Sequence, residues 1–150
     1  LDNTIVFITG DHGEEFNDLG DGFWGHNGNF SKYQTKVPFI LYWPGKNPED
    51  ITYATSHMDV VPTLMQNLFK TTTSAEAYTT GTNLFVPHRD YIYMHGASDA
   101  YAILQDGIIT VFPVFGSVEA YDADTYKRVD MTFSVDSWRE ILSTLSRYKQ

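Results

Sequence analysis

Asp11 and His12 stand side by side in the run Thr9-Gly10-Asp11-His12-Gly13-Glu14, and His26 follows in the same glycine-rich stretch. Carboxylate and imidazole together suit hard and borderline divalent cations, and two such groups make half of a four- or five-ligand sphere. Adjacent side chains on an extended segment point apart. Gly10 and Gly13 on either side let the backbone bend, so that both can face one ion. Asp2, Asp11, Glu14, Glu15, Asp18 and Asp21 all precede the first base, Lys32, which concentrates negative charge around His12 and His26. Charge runs of this kind are ordinarily solvated faces, and the plain alternative to a metal pair is Asp11 capping the next turn with His12 as a hydrogen-bonded neighbour. Glu14 reads as a carboxylate that caps a turn or orients a metal-bound imidazole, rather than as a ligand itself. The pattern Asn17-x-Leu19-x-Asp21-Gly22 imitates a calcium loop only superficially, because Leu19 fills a ligand position and Gly28 stands where a bidentate Glu is needed. Asn29-Phe30-Ser31 matches a glycosylation sequon by pattern alone.

These residues need a scaffold, and the apolar pattern supplies one. Thr4 to Ile8 is a short, continuous β-branched and apolar run that fits a strand buried on both faces of a parallel sheet. Ligands of open α/β sheets collect outside the carboxyl ends of such strands, where Asp11 and His12 fall. Gly10 to Asn29 reads as a long loop with one helical turn, and loops of that length in compact domains tend to carry function. Val37 to Trp43 is a second buried strand with Pro38 at its start. Val60, Val61, Leu64, Met65, Leu68 and Phe69 follow helical spacing, with Asp59 as N-cap and Pro62 in the first turn. His57 and Asp59 imitate a second metal pair, but the cap role makes Asp59 structural. Residues 71–82 are rich in Thr, Ser and Gly and read as a surface loop.

Beyond Tyr91 the runs shorten to Tyr91–His95, Tyr101–Gln105, Ile108–Val114 and Ser117–Tyr121, with Asp106-Gly107 as a two-residue hairpin signal. They predict a small antiparallel sheet in which His88 and His95 are ordinary surface or edge residues. An amphipathic helix over about 136–148, with Trp138, Ile141, Leu142, Leu145 and Tyr148 on one face, closes the chain. The fold class is thus α/β: a mixed or parallel sheet with helices over about 1–70, a loop over about 71–90, and a small antiparallel sheet with a terminal helix over about 91–150.

The chain has 150 residues, no cysteine and a formal net charge of −9. A chain of this length can bury roughly 70% of its unfolded surface without a disulfide. The acidity argues against nucleic acid and anionic lipid as general partners, and the missing cysteine excludes thiol catalysis and Cys-ligated zinc while leaving the compartment open. No apolar run approaches the roughly 18 residues of a membrane helix. The opening Leu1-Asp2-Asn3, without an initiator Met and directly before a buried run, sets the expectation of a piece of a longer protein.

Three blocks carry a family resemblance: Ile8-Thr9-Gly10-Asp11-His12-Gly13-Glu14, then Val37-Pro38-Phe39-Ile40 with Trp43-Pro44-Gly45, then Ser56-His57-Met58-Asp59-Val60-Val61-Pro62-Thr63-Leu64. In that order and spacing they resemble the C-terminal part of the sulfatase branch of the alkaline phosphatase superfamily, over about residues 4–69. The wording Phe16-Asn17-Asp18, Trp24-Gly25-His26-Asn27 and Asn29-Phe30 is most similar to the periplasmic domain of inner-membrane sulfatase-like proteins of Gram-negative bacteria implicated in lipopolysaccharide and outer-membrane lipid balance. Lipoteichoic acid synthases and lipid A phosphoethanolamine transferases are more distant relatives of the same pattern.

The resemblance implies that Asp11 and His12 are metal ligands, and that His26 lies where related enzymes place a His or Lys against the phosphoryl or sulfuryl oxygens; the residues themselves leave His26 open between that contact and a loop histidine held by an acidic neighbour. It implies a divalent metal (zinc, manganese, magnesium or calcium), a sulfate or phosphate ester or a lipid head group as partner, and a membrane-anchored parent on the periplasmic side of the inner membrane. The family's nucleophile belongs to earlier strands. Thr4 and Thr9 share the strand that supplies the metal pair and do not replace it, so the expectation is no nucleophile here and no turnover without the remaining half. A second expectation is a non-catalytic module that senses or regulates envelope lipid.

Overall fold

A computed structural model describes residues 1–87, 89–96, 99–131 and 135–146. His88 and Tyr148 lie outside the described residues. The chain divides into two compact units, Leu1–Ile51 with Met94–Val129, and Thr52–Tyr93 with Asp130–Gln150.

In the first unit, β1 (Val6–Thr9) pairs antiparallel with β4 (Phe39–Tyr42), with Phe7 opposite Leu41 and Ile8 opposite Ile40. Phe7 and Phe39 meet edge to face, their ring centroids 6.0 Å apart. Ile8 and Ile40 are exposed on the other face. The expected parallel pairing with both faces buried is therefore not what these strands show. A short apolar run specifies a strand but carries no information on the direction of its neighbour.

The glycine-rich stretch also departs from expectation. In place of a loop with a helical turn it holds a tight antiparallel ladder, β2 (Glu15–Phe16) against β3 (Trp24–Gly25), with Glu15 opposite Gly25 and Phe16 opposite Trp24. Short polar side chains fold the connection. Asn17 Oδ1 accepts from the Gly22 N–H at 2.7 Å, Asp18 Oδ2 from the Phe16 N–H at 2.7 Å, and Asp21 Oδ1 from the Phe23 N–H at 3.0 Å. These bonds offer the backbone an alternative to helix, which is why no helical turn forms. Asn17, Gly20 and Gly22 take positive φ within this connection.

After Ser31 comes the short helix α1 (Lys32–Thr35), and its end approaches Gly13 closely. The Gly13 N–H donates to the Gln34 carbonyl at 2.8 Å, and a Cβ on Gly13 would lie 2.1 Å from the Tyr33 carbonyl oxygen. Because that neighbour is backbone, Gly13→Ala is expected to cost about 2 kcal/mol. Chemical denaturation checks this, and a stability equal to wild type would show that the approach is not close in solution.

The second segment of this unit, from Met94, holds all but the first two residues of a sheet of order β5-β6-β7-β8-β9, formed by β5 (Ile92–His95), β6 (Tyr101–Gln105), β7 (Ile108–Phe112), β8 (Glu119–Asp122) and β9 (Arg128–Val129). The pairs β6–β7, β7–β8 and β8–β9 are antiparallel. Asp106 and Gly107, with φ of 51° and 77°, make the turn their dipeptide predicts. Alternation puts Ala102, Leu104, Ile109 and Val111 on one face, where Phe30 packs. The Phe30 N–H donates to Tyr126 Oη at 3.0 Å, which ties the segment following the β2–β3 hairpin to this sheet.

The second unit holds a 3₁₀ turn, His57–Asp59, that runs into α2 (Val60–Asn67). Pro62 is fully buried in the first turn, where its missing N–H is tolerated. Thr63 Oγ1 donates to the Asp59 carbonyl at 2.6 Å and accepts from the Leu84 N–H at 2.8 Å. Residues 71–82 include a 3₁₀ turn at Ala75–Ala77, and the stretch ends with Thr79 and Gly81 buried. The terminal helix α3 spans Val135–Ser146, with Trp138 and Ile141 buried and Leu142 half-buried.

Candidate metal centre

The β2–β3 ladder sorts the acidic loop by side. Strand side chains alternate between faces, so Glu15 points inward and is fully buried while Glu14 and Phe16 face solvent. Glu15 Oε2 accepts from Asn29 Nδ2 at 3.0 Å, Ser31 Oγ at 3.1 Å and Gln34 Nε2 at 2.8 Å. Gln34 Oε1 in turn accepts from the Gly28 N–H at 3.1 Å. One buried carboxylate oxygen thus gathers the segment after β3 and the start of α1. Neither composition nor spacing distinguishes Glu15 from its neighbour Glu14 until the ladder register is known.

On the solvent face the next row of the ladder is Glu14 and His26, whose Oε2 and Nδ1 lie 2.9 Å apart. The His12 ring stacks on the His26 ring at a centroid distance of 4.2 Å. His12 Nδ1 sits 2.9 Å from the Gly13 carbonyl. A proton held there leaves the Nε2 lone pair free for a cation. His12, Glu14 and His26 each offer a ligand atom within 4.8 Å of the others, and among the described residues they are the group of three that does so.

Tetrahedral zinc with nitrogen or oxygen ligands separates neighbouring donors by about 3.3 Å, so a small closure of exposed side chains would seat an ion. The donor set, two imidazoles and a carboxylate, suits zinc or manganese better than an all-oxygen cation such as calcium.

Asp11 borders this group. Its Oδ1 accepts the His12 N–H at 3.1 Å, and Oδ2 lies 3.8 Å from His12 Nε2. A hydrogen bond from its own backbone, then the nearby His12 charge, hold its carboxyl below the usual range, and it is fully exposed. Of the four residues named from sequence, the structure brings His12, Glu14 and His26 together and leaves Asp11 alongside, touching His12.

Asp59 is occupied elsewhere. Its Oδ2 accepts the Ser56 N–H at 2.7 Å, its Oδ1 accepts the Thr82 N–H at 2.8 Å, and Arg89 Nη2 pairs with Oδ1. The two charged side chains are 2% and 7% exposed. Every oxygen of that carboxylate is engaged within its own unit, which leaves no ligand position for a second metal pair with His57. The N-cap role read from sequence is not the one it performs: Asp59 makes no side-chain cap bond to α2, and its carboxylate reaches back instead to the N–H of Ser56, the N-cap of the 3₁₀ turn. The partnership with Arg89, thirty residues on, carried no local signal.

Residues 1–68 match the Sulfatase family. Over 149 residues, 99% of the chain, it is 28% identical to the inner membrane protein YejM of Salmonella typhimurium, and to YejM of Salmonella typhi to the same degree. It is also 32% identical over 74 residues to the steryl-sulfatase of Rattus norvegicus, covering 41% of this chain and 13% of that enzyme. The chain spans about a quarter of the length of the YejM proteins it matches. Among the described residues no helix is long and apolar enough to cross a membrane.

Proposed function

Starting from the sulfatase-type sequence of residues 1–68, we propose that this chain supplies the histidine-bearing half of a divalent-metal centre in a sulfatase-like domain acting on sulfate or phosphate esters. The observation that carries this reading is the convergence of His12, Glu14 and His26 on one exposed face, next to Asp11, within the segment that matches the family. Asp11 and His12 take the ligand roles, with zinc or manganese favoured by the imidazole content. Glu14 holds His26, and His26 addresses the ester's anionic oxygens. The metal would supply Lewis-acid stabilisation of the charge that develops on those oxygens. The nucleophile is assigned to the part of the relatives' length that this chain does not span. The reading takes the parent to carry this domain on the periplasmic side of an inner membrane, and the support for it is the similarity to an inner membrane protein.

A second reading is favoured by the similarity to YejM over 99% of the chain, in a protein named only as an inner membrane protein. In this reading the same fold serves as a regulatory module that binds a lipid head group and controls envelope lipid balance without turnover. Variants that abolish turnover while preserving that control in cells support it, and loss of both in step supports the enzyme.

Calorimetric titration with Zn²⁺ and Mn²⁺ tests the shared premise. One ion is expected per chain. His12→Ala and Asp11→Ala, each removing a ligand, are both expected to weaken its binding about 100-fold. Metal content unchanged in both variants would remove the centre.

A further inference from the structure

The face of the β2–β3 ladder that carries Glu14 and His26 also carries the cross-strand pair Phe16 and Trp24. Phe16 and Trp24 lie directly opposite each other and meet edge to face at 6.1 Å. They are 63% and 66% exposed, an uncommon display for two large aromatics on a structured ladder. By alternation, rows two residues apart share a face and stand about 7 Å from one another. Phe16 and Trp24 therefore neighbour Glu14 and His26, which lie one residue beyond the Glu15–Gly25 pair on each strand. Glu15 is committed inward by its three hydrogen bonds and fixes which way the face points.

We propose that Phe16 and Trp24 are the docking platform for the apolar alcohol of an amphiphilic phosphate or sulfate ester whose anionic end meets the His12–Glu14–His26 group. This rests on the metal-centre reading above and adds to it a substrate class: an ester with a bulky apolar alcohol rather than a small, fully polar one. The charge pattern selects that orientation. Asp11, Glu14, Asp18 and Asp21 belong to the same short acidic segment as these rows, so a bare anion is repelled there except at a bound cation. The aromatic row offers apolar surface and no charge of its own. An ester that is anionic at one end and apolar at the other matches both rows at once, whereas a membrane surface would need the aromatics alone.

The experiment uses the full chain with Mn²⁺ and two probes, methyl phosphate and decyl phosphate, the latter below its micelle concentration. Decyl phosphate is expected to bind about 30-fold tighter than methyl phosphate, about 2 kcal/mol by the tenfold-per-1.4 rule. The double variant Phe16→Ala/Trp24→Ala is expected to bring the two affinities within about threefold of each other. It should leave Mn²⁺ and methyl phosphate binding unchanged. Both side chains are exposed, so the fold should tolerate the change, and Phe16→Leu/Trp24→Phe should keep most of the preference. If Mn²⁺ and methyl phosphate bind but decyl phosphate is not preferred, or the double variant keeps the preference, the platform is overturned and the metal centre stands. If Mn²⁺ does not bind, both fall. Metal-independent binding to phosphatidylcholine vesicles that the double variant loses would make the pair a membrane anchor and also overturn the proposal.

Discussion

Asp59→Ala is expected to destabilise the α2 segment by about 3–5 kcal/mol, the cost of leaving a buried charge without its partner. The variant strands three donors at once: the Arg89 guanidinium, the Ser56 N–H and the Thr82 N–H. Arg89→Ala is expected to cost less, because the Asp59 carboxylate would keep both backbone donors. Burial lowers the Arg89 pKa from its usual value, the direction expected of a guanidinium taken out of water. The order of the two losses is therefore the informative result. Amide hydrogen exchange across Val60–Asn67 reads it locally, which matters in a chain of two compact units where a single global transition is not assured. Equal losses, or a loss below about 1 kcal/mol for Asp59→Ala, would place the pair at a solvated surface.

The same residue shows how far the sequence carries. Asp59 before a helix-spaced apolar run is a cap signal, because a short carboxylate can accept the free N–H groups of a first turn, yet here it bonds to none of them in α2 and turns back to the Ser56 N–H. Arg89 could not be read, since a pairing thirty residues distant leaves no periodic trace. The antiparallel sheet was legible where strands were long enough to alternate. Tyr101–Gln105 has its observed bounds, and Asp106-Gly107 makes the expected turn. The two-residue strands Glu15–Phe16, Trp24–Gly25 and Arg128–Val129 were not, because two residues define no period.

At the candidate site the residue types were legible and their sides were not. Asp11, His12, Glu14 and His26 stand out by chemistry in any reading. Only the register of Glu15 against Gly25 decides that Glu14 joins the histidines while Glu15 turns inward. The same register brings Phe16 and Trp24 onto the exposed face, and no property of an isolated Phe or Trp would have suggested that. For Val6–Thr9 the run is a strand as read, but its antiparallel partner was chosen by tertiary context.

Glu15→Leu is the complementary experiment in the first unit, with an expected loss of about 3–4 kcal/mol. Each buried donor left without an acceptor costs about 1–3 kcal/mol, and Asn29, Ser31 and Gln34 all lose theirs, partly offset by no longer burying a carboxylate. Glu15→Gln should behave differently. All three bonds converge on Oε2, while Oε1 has no hydrogen-bond partner. An amide can place its carbonyl at the first position and keep all three bonds, while its nitrogen takes the second without an acceptor, so the glutamine variant is expected to lose about 1–2 kcal/mol, less than leucine. The contrast extends to function, because Glu15 fixes the face on which Glu14 and His26 meet. In the leucine variant Mn²⁺ affinity should fall together with hydrogen-exchange protection at Gly13 and Gly28, whose amides bond to Gln34. In the glutamine variant both should hold near wild type. A leucine variant that keeps protection and metal binding would mean the hairpin is set by its turn residues alone. A glutamine variant as damaged as leucine would mean that the charge of Glu15, rather than its accepting oxygen, holds the loop.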